Sequence, residues 1–339
     1  MNEALPGFNQ TRLLALMRAA VRRCQLDLSD AVVLTEAATG AYVVTPVLAA
    51  LAGARQVLAL ARPTRYGTLE QVAALTTAVA RAAGVHDRIR ILTARNPVEV
   101  GQADVVTNSG HVRPIDAEMV SWMKPSAVVS LMYEAWEVRA DDVDVAACIR
   151  RGISVAGTNE RHPAVDVFSY LGIMATKLLL DAGIAVYGCT VVLCCDNPFE
   201  PYIRAGLVQA GAVVESTQRL DAAAAADCDA VLVALLPKGE PVIGRREAAL
   251  IAARWPGAVV TQCWGDIDRS ALAAAGVECW PRSAPPAGHM AILPAAVGPE
   301  ATVRLQAGGL KVGEVLLRAR DPGAPVDRSY LTELGAERV

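Results

Sequence analysis

The chain has 339 residues, 53% apolar and 20% charged, which suits two domains with sizeable cores and excludes a disordered chain. A formal net charge of −3 argues against nucleic acid as the main partner. Mean hydropathy is +0.32, yet no apolar run approaches the roughly 18–20 residues of a membrane span. The opening MNEALPGFNQTR lacks a basic and then apolar leader, so a cytoplasmic, reducing setting is expected, with the eight cysteines as free thiols.

β-rich runs alternate with Ala/Leu-rich helical segments, the pattern of α/β folds with parallel sheets. An amphipathic helix is predicted over 9–24, a strand over 31–34, a turn through Gly40 and a helix to about 51. A strand over 56–60, a helix over 68–83, strands over 89–92 and 104–107, a helix over 117–123 and a strand over 127–131 follow. A short helix near 141–151 and a strand over 154–156 lead to a long apolar helix over 165–182, expected to bridge two domains. The second domain starts with a strand over 190–194, a helix over 201–210 and a strand over 213–215. Strands over 230–235, 258–262 and 277–279 come next, with helices near 245–254 and 269–275. A C-terminal helix near 299–319 is expected to pack back on the first domain. The fold class is thus α/β: two Rossmann-like parallel-sheet domains, 1–164 with the helix 299–320, and 165–298, with an interdomain cleft.

Ligands of open parallel sheets bind outside the carboxyl ends of the strands. Nearly every predicted strand here runs into a polar cluster at that end: TEAATG at 35–40, RPTRYG at 62–67, NSGHVR at 108–113, YEAWEVR at 133–139 and TNERHP at 158–163. In the second domain CDNPFE at 195–200 and WGDIDR at 264–269 are placed alike. Three of the four histidines, His111, His162 and His289, lie in such segments or in the PPAGH loop, while His86 reads as a surface residue. Solvated loops with capping residues would explain Asp196, Asn197 and Asp268, but explain Trp136, Trp264 and the histidines poorly.

Cofactor-binding candidates are Thr35, Gly40, Arg62, Thr64, Arg65, Tyr66 and Asn108. The turn 35–40 precedes a helix, where a helix N-terminus meets phosphate, though it has no G-x-G-x-x-G. Arginines at the next strand end suit a 2′-phosphate, so NADP over NAD. The plainer reading of that loop is a helix cap with surface arginines. The second domain's first turn has no glycine, and Glu200 would repel a phosphate.

His289, His111 and Glu134 are the catalytic candidates, the imidazoles because they titrate near neutrality. Substrate-binding candidates are Arg113, Trp136, Glu137, Arg139, Glu160, Arg161, His162, Asn197, Trp264 and Asp266. The arginines offer forks for carboxylate or phosphate and the glutamates partners for an ammonium. Structural salt bridges are the competing explanation for each. No metal site is expected, because Cys194 and Cys195 are adjacent and the histidines are scattered. Cys263 and Cys195 read as buried thiols before nucleophiles.

From about residue 127 the order of elements resembles D-2-hydroxyacid dehydrogenases of the formate/glycerate dehydrogenase type. The segment VDVAACIRRGISVAGTN is similar to that family's helix, Arg-Gly turn and strand before the interdomain helix, and PPAGHM resembles its late histidine loop. The segment ADVVTNSGHVRPIDAEMVSWMKPSAVV has a faint similarity to S-adenosylhomocysteine hydrolase. The resemblance implies an NAD(P)-dependent oxidoreductase with His289 as general acid/base. The family's glycine fingerprint is missing, and Trp264-Gly265-Asp266 stands where its Arg-Gly would be. The expected substrate is a small acidic or zwitterionic metabolite, and the expected assembly a homodimer. The alternatives are a non-redox enzyme binding an adenosyl ligand such as S-adenosylmethionine, and a ligand-binding pseudoenzyme.

Overall fold

The computed structural model describes residues 6–139 and 141–334. It divides into two compact units, Met1–Val167 with Gly298–Val339, and Phe168–Val297.

In the first unit α1 spans Gln10–Arg23, started by the Asn9 side chain, which accepts the Arg12 N–H. Its Leu13, Met17 and Ala20 recur at helical spacing and are buried. Then follow β1 (Val32–Glu36), α2 (Val44–Leu51), β2 (Gln56–Leu60), α3 (Leu69–Ala83), β3 (Ile89–Leu92), α4 (Pro97–Gln102) and β4 (Val105–Thr107). After them come α5 (Ala117–Trp122), β5 (Val128–Ser130), α6 (Val145–Arg150) and β6 (Ser154–Thr158). Thr35 and Glu36 belong to β1 rather than to the following turn, because β1 stays paired with β2 through Glu36.

In the second unit, α7 spans Leu171–Asp181 after a 3-10 turn at Phe168–Tyr170. The helix expected over 165–182 therefore starts late. Asp166 adopts a left-handed φ of +51°, which no α-helix can pass through. Next come β7 (Thr190–Cys195), α8 (Glu200–Gln209), β8 (Val213–Thr217), β9 (Ala230–Ala234) and α9 (Arg245–Arg254). The unit closes with β10 (Val259–Trp264), α10 (Arg269–Ala274) and β11 (Cys279–Trp280), the last displaced from the predicted 277–279. The sheet order is β11-β10-β9-β7-β8, with every pair parallel.

The chain then returns to the first unit with α11 (Pro299–Arg318) and β12 (Leu331–Thr332). The first sheet has the order β12-β6-β5-β4-β1-β2-β3. Its β1 to β6 are parallel, in the doubly wound order 3-2-1-4-5-6, and β12 joins the β6 edge antiparallel. α11 lies on β4, β5 and β6. A Cβ on Gly309 would fall 2.4 Å from Met132 Sδ, and one on Gly313 2.4 Å from Val105 Cγ1, so these glycines permit the close approach. Alternation sends Val33, Val105 and Val128 into the core with α1, α2 and α11. Val32, Leu34, Val106 and Val129 enter the opposite core with Met119 and Cys148. Both faces of this sheet are thereby covered, leaving its carboxyl edge for ligands. No described helix is long and apolar enough to cross a membrane, and the eight cysteines are free thiols.

Candidate functional site

The first sheet reverses winding between β1 and β4, and polar side chains crowd the carboxyl ends there. Glu36 ends β1 and is 6% exposed. Its Oε2 accepts the His111 N–H at 3.1 Å, and the Gly110 N–H and the Arg113 charge support its ionised form. Burial outweighs them and holds its pKa above the usual carboxyl range. The His111 ring faces the Ala37 carbonyl with Nδ1 at 2.8 Å.

Glu134, which follows β5, is fully buried. It accepts from Trp136 Nε1 at 2.9 Å and from Arg161 Nε and Nη2 at 3.2 and 3.3 Å. Burial and the negative charge of Glu134 push Glu137 up to about 8, against the Glu134 N–H and Arg139, which favour its ionised form. Glu160, after β6, stands well above the ordinary carboxyl range, first through burial and then through repulsion by Glu137 and Glu134. Tyr42, on the 3-10 turn Gly40–Val43, is pushed up to about 12 by burial, with Glu36 and Glu160 both adding to the rise. Glu134, Glu137 and Glu160 thus act on one another, and Glu36 and Glu160 both act on Tyr42. Asn108, 1% exposed at the end of β4, accepts the Met132 N–H at 2.7 Å through Oδ1, while its Nδ2 has no hydrogen-bond partner.

The remaining candidates of this unit fall into several groups. Thr35 is fully buried, and its hydroxyl is used by Thr107 at 2.8 Å and Ser109 at 3.1 Å, so it is not presented to a ligand. Gly40 is exposed, at φ +63°. Thr64 closes its own turn, exchanging backbone bonds with Gly67 and accepting the Tyr66 N–H at 3.1 Å. Arg65 stacks over the exposed Tyr66 ring at 4.8 Å. Arg62 is half-buried, donates only a long 3.4 Å bond to the Arg113 carbonyl, and is depressed by burial and by the charge of Arg95. Arg113 pairs with Asp142 at 2.8 Å, to which Tyr133 also donates at 2.6 Å. His162 stacks on Tyr330 at 3.8 Å and accepts the Ala164 N–H at 3.1 Å, which fixes the turn after β6.

His289, Asn197, Trp264 and Asp266 belong to the second unit. Asn197 donates to the Ala234 carbonyl at 2.6 Å and accepts the Phe199 N–H at 3.1 Å. Trp264 is 3% exposed, stacks on Phe199 at 5.5 Å, and donates to the Gly288 carbonyl at 3.1 Å. Asp266 accepts the Gly288 N–H at 2.9 Å. These three side chains hold loops; Asn197 and Trp264 use most of their hydrogen-bonding capacity there, and Asp266 uses one oxygen. His289 is exposed on the loop they hold, with Nδ1 3.0 Å from the Ala287 carbonyl. A pocket of 570 Å³ at the carboxyl ends of this sheet is lined by Cys194, Gln218, Arg219, Leu235, Lys238 and Arg246 among others. Its Arg219 and Arg246 share Asp221, at 2.6 and 3.0 Å, which offsets one of their two charges.

Sequence reasoning did not single out Glu36, Tyr42, Arg95 or Asp142. A carboxylate as the last residue of an apolar strand, VVLTE, is the one signal that pointed to Glu36. Tyr42 and Arg95 carry no comparable signal, since only the sheet order brings them to this edge.

No family model matches the chain, and no curated protein matches it in sequence. Among solved structures it is similar to a dipicolinate synthase subunit from Bacillus halodurans, with 12% identity over 83% of this chain and 96% of that one, at a TM-score of 0.51. The corresponding dipicolinate synthase chain from Bacillus subtilis aligns at 10% identity over 88% of this chain and 100% of that one, at 0.54. At such identities the likeness is one of fold, and it agrees with the two doubly wound sheets. A NAD-dependent formate dehydrogenase from Staphylococcus aureus, solved with NAD, aligns more loosely, at 14% identity over 82% of this chain and 99% of that one, with a TM-score of 0.47.

Proposed function

We propose that the protein is an NAD(P)-dependent oxidoreductase acting on a small acidic or zwitterionic metabolite. The observation that carries this reading is the cationic end of β2 in a sheet of order 3-2-1-4-5-6. Arg62, half-buried beside Arg95 and without a carboxylate partner among the described residues, stands where a dinucleotide's adenosine ribose would lie. Two guanidinium groups there suit a 2′-phosphate, so NADP is favoured over NAD. The cofactor would supply or accept the hydride. Near a pyrophosphate the charge of Glu36 would be offset by the His111 and Gly110 N–H groups and by Arg113. The exposed His289, the proton donor that the dehydrogenase resemblance implies, is the residue whose removal should abolish turnover. A homodimer belongs to the same reading, and light scattering of the purified chain measures it.

Native mass spectrometry, followed by denaturing release, tests the cofactor. Co-purified NADP, or a thermal shift with NADPH larger than with NADH and lost in Arg62→Glu, supports the reading. An adenosyl compound without nicotinamide refutes it. That outcome would favour a second reading, an adenosyl-binding non-redox enzyme, for which the buried carboxyls beside the glycine-poor turn 37–40 speak, since a sulfonium or ammonium pairs with them better than a pyrophosphate does.

A further inference from the structure

In a doubly wound unit a dinucleotide's pyrophosphate rests on the turn between the first strand and its helix, beside the point where the strand order reverses. In the second unit that turn is 195–200, between β7 and α8, and the reversal lies between β7 and β9.

A phosphate at a helix start needs N–H groups that the helix leaves unpaired. From 198 to 203 none is left over. Pro198 and Pro201 have no N–H. The Phe199 N–H donates to Asn197 Oδ1 at 3.1 Å, and the Glu200 N–H to the Asn197 carbonyl at 3.3 Å. The Tyr202 and Ile203 N–H groups both donate to the Phe199 carbonyl, at 3.1 and 3.0 Å. The turn also carries two carboxyl side chains, Asp196 and Glu200, against which Lys238 stands 3.6 Å from Asp196. Glu200 lies in the first turn of α8, so its charge opposes the attraction that the helix dipole would offer a phosphate.

Two of these side chains cross the crevice itself. Asn197 Nδ2 donates to the Ala234 carbonyl at 2.6 Å, and Asp196 Oδ1 accepts the Leu236 N–H at 2.8 Å. Both bonds tie the end of β7 to the end of β9, the paired strands on either side of the reversal. Phe199, 3% exposed, stacks on Trp264 at the end of β10 and meets Phe168 edge-on at 5.2 Å. No glycine stands in the turn to let a phosphate approach the backbone.

We infer that the second unit, although doubly wound, holds no dinucleotide at its switch point, and that its turn 195–200 is a stitch fastening β7 to β9. The 570 Å³ pocket beside the turn does not replace the missing donors. Its cations Arg219, Arg246 and Lys238 are exposed and already face Asp221 and Asp196, so their pull on a phosphate is screened by water. The inference goes beyond the proposed function, which concerns the first unit, and stands independently of it.

Amide hydrogen exchange of the full chain, alone and with NADPH or NADH, tests this together with equilibrium titration. Neither nucleotide should slow exchange over 194–203 or 234–238. The double variant Arg219→Glu, Arg246→Glu should bind NADPH within about twofold of the unsubstituted chain. Without nucleotide, Asn197→Ala should speed exchange at Phe199 about tenfold, and Asp196→Ala should do the same at Leu236, because each amide loses its acceptor. Slowing over 194–203 on adding nucleotide, two nucleotides per chain, or binding about tenfold weaker in the double variant overturns the inference. Unchanged exchange at Phe199 and Leu236 in the two alanine variants overturns the stitch. Slowing confined to the first unit upholds both readings. No slowing and no titration signal anywhere refutes the nucleotide reading of the first unit and upholds the inference for the second.

Discussion

Raising the pH from 6.5 to 8 should destabilise the first unit through Glu137. Its carboxyl keeps its proton up to about 8 in the folded chain, against an ordinary value of 4.5. Between those values the folded state binds one more proton than the unfolded state, so stability falls as pH rises. The slope is about 1.36 kcal/mol per pH unit, or about 2 kcal/mol over this interval. Glu36 and Glu160 are raised as well, so their titration above the ordinary carboxyl value of 4.5 has the same sign. The interval avoids two other contributions. Burial lowers the His162 pKa, so His162 adds stability with rising pH only up to the ordinary histidine range near 6.5. Buried thiols such as Cys194 and Cys263, pushed up to about 12, matter only once unfolded thiols ionise near 9. The assay is urea unfolding at fixed ionic strength, followed by tryptophan fluorescence, to which Trp122 and Trp136 contribute from the first unit and Trp255, Trp264 and Trp280 from the second. Glu137→Gln should flatten the slope by about one proton equivalent. Wild-type stability that is flat or rises over this interval, or a slope untouched by Glu137→Gln, would refute the reasoning.

Three further outcomes follow from packing and capping. Gly172→Ala should destabilise the second unit by about 1–3 kcal/mol or more, because its Cβ would lie 2.6 Å from Gly206 Cα and 2.9 Å from the Tyr202 carbonyl, both backbone atoms of the facing helix segment; thermal melting measures it. Lys311→Met should cost about 3 kcal/mol in urea unfolding. It strips the buried Glu314 of a 2.8 Å partner while Arg318 and the Asp27 N–H remain at 3.4 and 2.8 Å. Thr68→Ala should cost about 1 kcal/mol by removing the hydroxyl that caps α3 in a reciprocal box with Gln71, and amide hydrogen exchange at the start of α3 should rise.

Much of the fold was legible because its determinants are local. The helical spacing of Leu13, Met17 and Ala20 and the apolar runs of β1, β2, β7 and β9 each fix an element through its own period. The same locality explains the misreadings. Asp166 turns left-handed just where apolar periodicity suggested that a helix begins. β12 is two residues long and exists only because β6 offers it an edge.

The order of residues along the chain already dictates that polar groups gather at the carboxyl ends of the strands, since a buried parallel strand must end where polar side chains begin. It does not dictate which of them turn toward a ligand. Asn197, Trp264 and His162 have the residue types of a binding site, but their polar atoms hold loops. Glu36, Asn108, Glu137 and Glu160 are far apart in the chain, and folding alone sets them on one edge. The reason is that side chains at strand ends become neighbours through the order β6-β5-β4-β1, and that order is selected by crossover handedness and by the burial of α11 against the sheet rather than by any local propensity.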